Sequence, residues 1–171
     1  MFPAPKKMYF SGMEMKELMS KMAQPGTLQF ISMRPAKKGE VQSVSEAELT
    51  PEGGIVGDHY SGKSGQRQVT LIQSEHLAAV ASILNQSAPI DPKLTRRNLV
   101  VSGINLISLK EKQFRIGDVL LETTGPCAPC SQMETNLGDG GYNAMRGHGG
   151  ICAKVIEGGK IKVGDEVAIL M

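Results

Sequence analysis

Apolar and polar residues alternate over most of this chain in short runs, the period of half-buried strands. Thr27-Leu28-Gln29-Phe30-Ile31-Ser32-Met33 is the first such run. Pro35 to Glu40 reads as a turn, Val41 to Val44 as the start of a second strand, and Glu46 to Glu52 as an extended piece ending at Pro51. A glycine-dense loop follows, Gly53 to Asp58, continued by Ser61-Gly62-Lys63-Ser64-Gly65. Arg67 to Ile72, Leu99 to Ser102 and Ile151 to Ile156 read as further strands, the second of them buried and ended by Gly103. Phe114 to Leu121 and Lys160 to Ile169 share one pattern, an apolar position, Gly-Asp, then a strand. This is one turn chemistry used twice, in which Gly supplies a positive φ and Asp bonds nearby backbone.

Helical spacing is clear once. In Ser74 to Leu84, Leu77, Val80, Ala81 and Leu84 recur on one face and Ser74 can cap the start. Asn85 to Pro92 reads as a loop. Residues 1–26 form a methionine-rich extension in which Ser11-Gly12-Met13-Glu14 predicts a capping box, opening a short helix through Met22 that Pro25-Gly26 closes. Met15, Leu18, Met19 and Met22 would share a face of it, expected to pack at the edge of the main body, with a methionine-lined partner surface as the alternative. Pairs of strands at this spacing, with one clear helix, predict a mainly β, partly closed barrel over residues 27–171.

Composition narrows the function classes. A chain of 171 residues suits one domain with a true core, and 40% hydrophobic with 21% charged residues is ordinary for a soluble protein. A net charge of +2, with basic residues mostly in pairs such as Lys37-Lys38, argues against nucleic acid. No apolar run approaches the ~20 residues of a membrane span, and no apolar segment follows Lys6-Lys7 as in a secretory leader. Three cysteines do not make a disulfide framework. The expected location is the cytoplasm.

Candidate chemistry gathers at Thr123-Thr124-Gly125-Pro126-Cys127-Ala128-Pro129-Cys130, directly after the strand Val119 to Glu122. Two prolines stiffen this turn, so a thiol there sits at a defined spot, as a soft ligand or nucleophile requires. Cys127-x-x-Cys130 has a redox reading, but that needs a helix in a βαβ setting. A zinc reading would recruit Cys152 with His148 or His59, and two inert buried thiols is the plain alternative. Cys152, in an apolar run, reads as core.

Gly57 to Ser64 matches the phosphate-loop spacing G-x-x-x-x-G-K-S, yet a strand follows where the mechanism needs a helix. A polar loop facing the phosphate of another cofactor is the sharper reading. Asp58 and His59 lie in it. Arg67 is an anion candidate. Arg96 and Arg97, read alone, are solvent-exposed at a strand edge. Arg146-Gly147-His148-Gly149-Gly150 is a cationic loop whose glycines fit either close approach to a bulky ligand or a plain hairpin. His76 reads as a surface or packing residue.

Val56-Gly57-Asp58-His59, Arg67 to Ile72, Arg97-Asn98-Leu99-Val100-Val101-Ser102-Gly103, Arg115-Ile116-Gly117-Asp118, Pro129-Cys130 and Arg146 to Ile151 occur in this order. Together they resemble the MOSC domain, the module named for the C-terminal domain of molybdenum cofactor sulfurases, from about Thr27 to the C-terminus. The resemblance implies the same mostly antiparallel barrel. It makes Cys130 the functional cysteine, with Cys127 an extra of this chain, and carries a pterin and phosphate grip to Arg97 and Asn98, with Arg96 able to share it. The Asp58 loop would orient a ligand or a bound water. A thiolate suits a high-valent molybdenum or tungsten centre and also a persulfide, and Arg67, Arg97, Arg146 and His148 are the cations available to hold Cys130 anionic. The implied function is binding of a molybdenum (or tungsten) pterin cofactor through Cys130 and reduction of small N-hydroxylated substrates. Electrons would come from a separate donor protein, since three cysteines cannot supply the four thiolates of a usual iron–sulfur cluster. The alternatives are a persulfide carrier served by a separate cysteine desulfurase, and a cofactor carrier without turnover.

Overall fold

The computed structural model describes residues 14–60 and 62–170. Its strands are β1 (Gly26–Met33), β2 (Gln42–Val44), β3 (Glu46–Thr50), β4 (Gly54–Ile55), β5 (Val69–Gln73), β6 (Leu99–Ser102), β7 (Gln113–Ile116), β8 (Val119–Pro126), β9 (Ile151–Glu157), β10 (Gly159–Lys162) and β11 (Glu166–Ile169). The helices are α1 (Met15–Ser20), α2 (Ser74–Ile83), α3 (Pro92–Thr95), α4 (Gln132–Leu137) and α5 (Gly141–Met145), with a 3-10 turn at Leu106–Leu109.

Strands in the order β11-β7-β8-β9-β5-β6-β1 form a ring, closed where Gly26 and Thr27 of β1 pair with Val167 and Glu166 of β11. Closure removes the unpaired edges that an open sheet would expose. The barrel is mainly β as the pattern predicts and mainly antiparallel as the resemblance implies, and its ring is closed where partial closure was expected. The exception is β5 beside β6, joined through α2 and therefore parallel. β2 extends the sheet from β1, and β10, β3 and β4 form a second small sheet.

Period-2 alternation, interrupted in β1 by a register shift between Leu28 and Phe30, sends Leu28, Ile31, Val69, Leu71, Leu99, Val101, Phe114, Ile116, Val119 and Leu121 into the barrel. All five residues of β5 are buried, so its outer face is covered too. Ile72 and Val100 face outward into a second cluster with Leu77, Val80 and Ala81 of α2, Met133 of α4, and Ala144 and Met145 of α5. The Glu134 carboxylate ties α4 to α5, accepting from the N–H groups of Gly140 and Tyr142, both at 2.8 Å. This outer cluster fixes the helix that starts two residues after Cys130.

Several local expectations change. Ser74 is the first helical residue of α2 rather than its cap, because Gln73 occupies the cap position and its side-chain oxygen receives the Leu106 N–H instead. The expected loop stands from Asn85 to Asp91 and ends one residue early, where α3 begins at Pro92 behind Asp91, whose carboxylate accepts from the Lys93 N–H at 2.9 Å. α1 buries no residue, and Met15, Leu18 and Met19 stay exposed. The expected packing falls to Met22 alone, which lies beyond the helix against the barrel core. Ser11, which opens the expected capping box, lies outside the described residues. In the paired Gly-Asp turns Gly117 and Gly164 take φ of +52° and +98°, and the Asp165 carboxylate accepts from the Lys162 N–H at 2.8 Å.

Candidate functional site

The turn after β8 is held from three sides. The Cys127 N–H donates to the Gly150 carbonyl at 2.9 Å, and the Cys130 carbonyl accepts from the Met133 N–H at 2.9 Å as α4 begins. The third tie is Arg97. Its side chain is 3% exposed, and its guanidinium donates to the carbonyls of Gly149 (2.8 Å), Thr95 (2.8 Å) and Cys127 (3.0 Å). Arg97 is therefore not the solvent-exposed residue its local sequence suggests. Arg96 explains the difference. It adopts the left-handed conformation (φ +59°, ψ +30°) at the end of α3, so the chain reverses there, with Arg96 exposed and Arg97 in the interior.

The two cysteines of the motif sit in opposite settings. Cys130 is exposed and lines a cleft of 510 Å³. Cys127 is buried, and the Arg67 Nη2 lies 3.2 Å from its Sγ. The Cys127 thiol is pulled down to about 6, chiefly by a hydrogen bond from Cys152, then by the charges of Arg97 and Arg67, against the opposing effect of burial. The Cys152 thiol moves far upward for the reciprocal reason. Two of the cations expected to hold Cys130 anionic thus act on Cys127. The thiol read as a plain extra is the one with charged partners.

Asp58, His59, Arg67, Arg97, Asn98 and Cys130 all line the cleft, contributed by distant parts of the chain. Asn98 is its keystone. Its Oδ1 receives the Thr70 N–H (3.0 Å) and hydroxyl (2.9 Å), and its own N–H donates back to that hydroxyl. Its amide nitrogen reaches Asp58 Oδ2 and the Ser32 carbonyl, both at 3.4 Å, while Asp58 Oδ1 accepts from the Arg34 N–H at 2.6 Å. These bonds lock the glycine-rich loop onto β1, β5 and β6.

Sequence reasoning did not single out Arg34 or Tyr60, yet both line the cleft and each holds a buried polar atom without a partner, Arg34 Nε and the Tyr60 hydroxyl. A buried unpaired donor is costly, and an acceptor-rich ligand in the cleft would relieve both. The one available signal was position, since Arg34 directly follows the first strand. With Arg67 and Arg96 the cleft carries guanidinium groups on several sides and one carboxylate, Asp58, already engaged. Lys63 of the phosphate-loop-like spacing does not line it, Ser61 lies outside the described residues, and no helix follows at Ser64.

Arg146 and His148 fall elsewhere. Arg146 lines a second cavity, and His148 packs its ring edge-on to His76 at 4.8 Å. The glycines of that loop serve the fold itself. A Cβ on Gly150 (φ +83°) would overlap the Leu71 carbonyl oxygen, and one on Gly149 the Cys127 carbonyl oxygen, so the close approach is to β5 and the cysteine turn. Among the described residues no cluster of three or more His, Cys, Asp or Glu could hold a metal by itself, which leaves the three-thiolate zinc site without support.

A family model described as the MOSC domain matches residues 51–168. The chain belongs to the MOSC family. The structure places β1 in the same barrel, upstream of the matched residues, because it closes the ring. Among solved structures, the YuaD protein of Bacillus subtilis superposes with a TM-score of 0.74 at 19% identity, covering 85% of this chain and 96% of that one. YiiM of Escherichia coli gives 0.65 at 20% identity over 85% and 70%, and YiiM of Geobacillus stearothermophilus 0.70 at 16% over 86% and 76%. At these identities the likeness carries the MOSC fold alone. No curated protein matches the chain. Among the described residues no helix is long and apolar enough to cross a membrane.

Proposed function

We propose that this MOSC protein binds a molybdenum or tungsten pterin cofactor in the Cys130 cleft and reduces small N-hydroxylated compounds with electrons from a separate protein. The observation that carries the reading is the pairing, in one 510 Å³ cleft, of an exposed thiol with guanidinium groups and buried polar atoms that lack partners. Its size is that of a small-molecule site. Arg34, Arg67 and Arg96 would receive the phosphate, since guanidinium pairs with it bidentately, and Tyr60 would donate to the pterin. Asn98 and Asp58, fixed by their mutual bond, would set the loop against the pterin edge. Arg97 contributes from behind by holding the turn that positions Cys130. The cofactor would supply the two-electron chemistry, and Cys130 would supply the soft ligand that holds it to the protein.

Persulfide transfer through Cys130, fed by a cysteine desulfurase, is the second reading, favoured by the open position of that thiol. A cofactor carrier would use the same cleft without turnover. Expression in a host competent for cofactor synthesis separates the three. The proposal predicts metal and pterin in the purified protein, and reduction of a hydroxylamine by an artificial donor. Bound cofactor without turnover would identify a carrier. Sulfane sulfur on Cys130, with neither metal nor pterin, would establish sulfur transfer and overturn the proposal.

A further inference from the structure

A second cavity, of 520 Å³, lies outside the Cys130 cleft, with Cys127, Ala128 and Pro129 of the cysteine turn in its wall. Leu106, Ile107, Pro126, Ile151 and Tyr142 make its lining mainly apolar. Tyr142 and Ile107 are exposed, 41% and 71%, so the cavity is open to a ligand. Its size and balance are those of a small-molecule pocket, apolar walls with a few placed polar groups.

Two of those polar groups hold a buried atom without a hydrogen-bond partner. Thr123 is 7% exposed and its hydroxyl has no hydrogen-bond partner, although it lines the cavity. His76 Nδ1 is likewise buried without one. Arg146, at the same cavity, makes no ion pair among the described residues, and no carboxylate joins the lining. Lys110 also lines it, 3.6 Å from Glu111. The charge is therefore positive and the walls greasy. None of these groups serves the cofactor cleft.

We propose that this cavity is a binding site for a small aromatic carboxylate, its ring against the apolar wall and its carboxylate received by Arg146. A carboxylate in this cavity has a charge partner in Arg146 and, in the same lining, a buried hydroxyl donor in Thr123.

The test is titration of the full chain with 2-naphthoate, followed by amide shifts in two-dimensional NMR, with neutral 2-naphthalenemethanol as comparison. The proposal predicts saturable shifts confined to Ile107, Tyr142 and residues 146–151, with the neutral analogue at least about tenfold weaker. Arg146→Glu should weaken 2-naphthoate by at least about tenfold, and Thr123→Val by about threefold or more. Ala128→Trp, which fills the cavity from an exposed position, should abolish binding while the remaining spectrum stays native. No saturation below about 5 mM, shifts centred on Arg34 and Asn98, or equal affinity for the neutral analogue would overturn it.

Discussion

Replacing Arg97 with Met removes a buried guanidinium while keeping a long apolar stem. If Arg97 is chiefly the tie that holds the cysteine turn, the cofactor-free protein itself should suffer. Three donor bonds of 3.0 Å or less disappear, to Gly149, Thr95 and Cys127, together with a longer one to Ala128 at 3.4 Å. Each strands a carbonyl at a cost of about 1 to 1.5 kcal/mol, the low end for groups that a nearby cleft lets water reach. Removing the buried charge refunds part of its desolvation, but it also strips a cation from the Cys127 thiolate. The net expectation is a loss of about 3 kcal/mol in urea unfolding, and a fall in Tm of about 6–12 °C for a domain of this size. Arg96→Met, at an exposed position with no such bonds, should cost less than about 0.5 kcal/mol. A change below about 1 kcal/mol for Arg97→Met would refute the tie and return Arg97 to the role of a ligand anchor.

Three further outcomes follow from named contacts. The Cys127 thiol sits at about 6 in the fold against an ordinary 9.0, so between those values the unfolded chain holds the extra proton and stability rises with pH, to be lost as pH falls toward 6. Cys127→Ala should flatten that slope and remove a thiolate absorbance step near pH 6 that Cys130→Ser keeps. His76, lowered from 6.5 by burial and by His148, loses stability only below its ordinary value, so measurement above pH 6.5 isolates the thiol. Gly150→Ala should cost at least about 2 kcal/mol in urea unfolding, because strain at positive φ adds to overlap with immobile backbone. Gly164→Ala, also at positive φ but with open space around it, should cost about 1 kcal/mol.

What the sequence discloses and what it withholds divide along local and distant interactions. Leu99–Ser102 is a short apolar run ended by Gly103 and the helix from Ser74 carries its own period, and both stand where the pattern puts them. β5 shows its limit, since Val69–Gln73 is buried on both faces and only the helices α2, α4 and α5 explain why. α4 and α5, six and five residues long, are too short to show a helical period. Closure of the ring joins Gly26 to Val167, a pairing no local window contains. The same holds at the site. Gly57-Asp58 and Arg97-Asn98 are readable as motifs, but the burial of Arg97 depends on carbonyls at 95, 127 and 149. Which thiol meets the cations depends on Arg67 and Cys152, one strand away.

The most direct test of the account is the metal content of three proteins purified in parallel from a host competent for cofactor synthesis: wild type, Cys130→Ser and Cys127→Ser. The account predicts close to one molybdenum or tungsten per wild-type chain, near-complete loss in Cys130→Ser with its fold intact, and retention in Cys127→Ser. Equal metal in wild type and Cys130→Ser, or loss confined to Cys127→Ser, would contradict it.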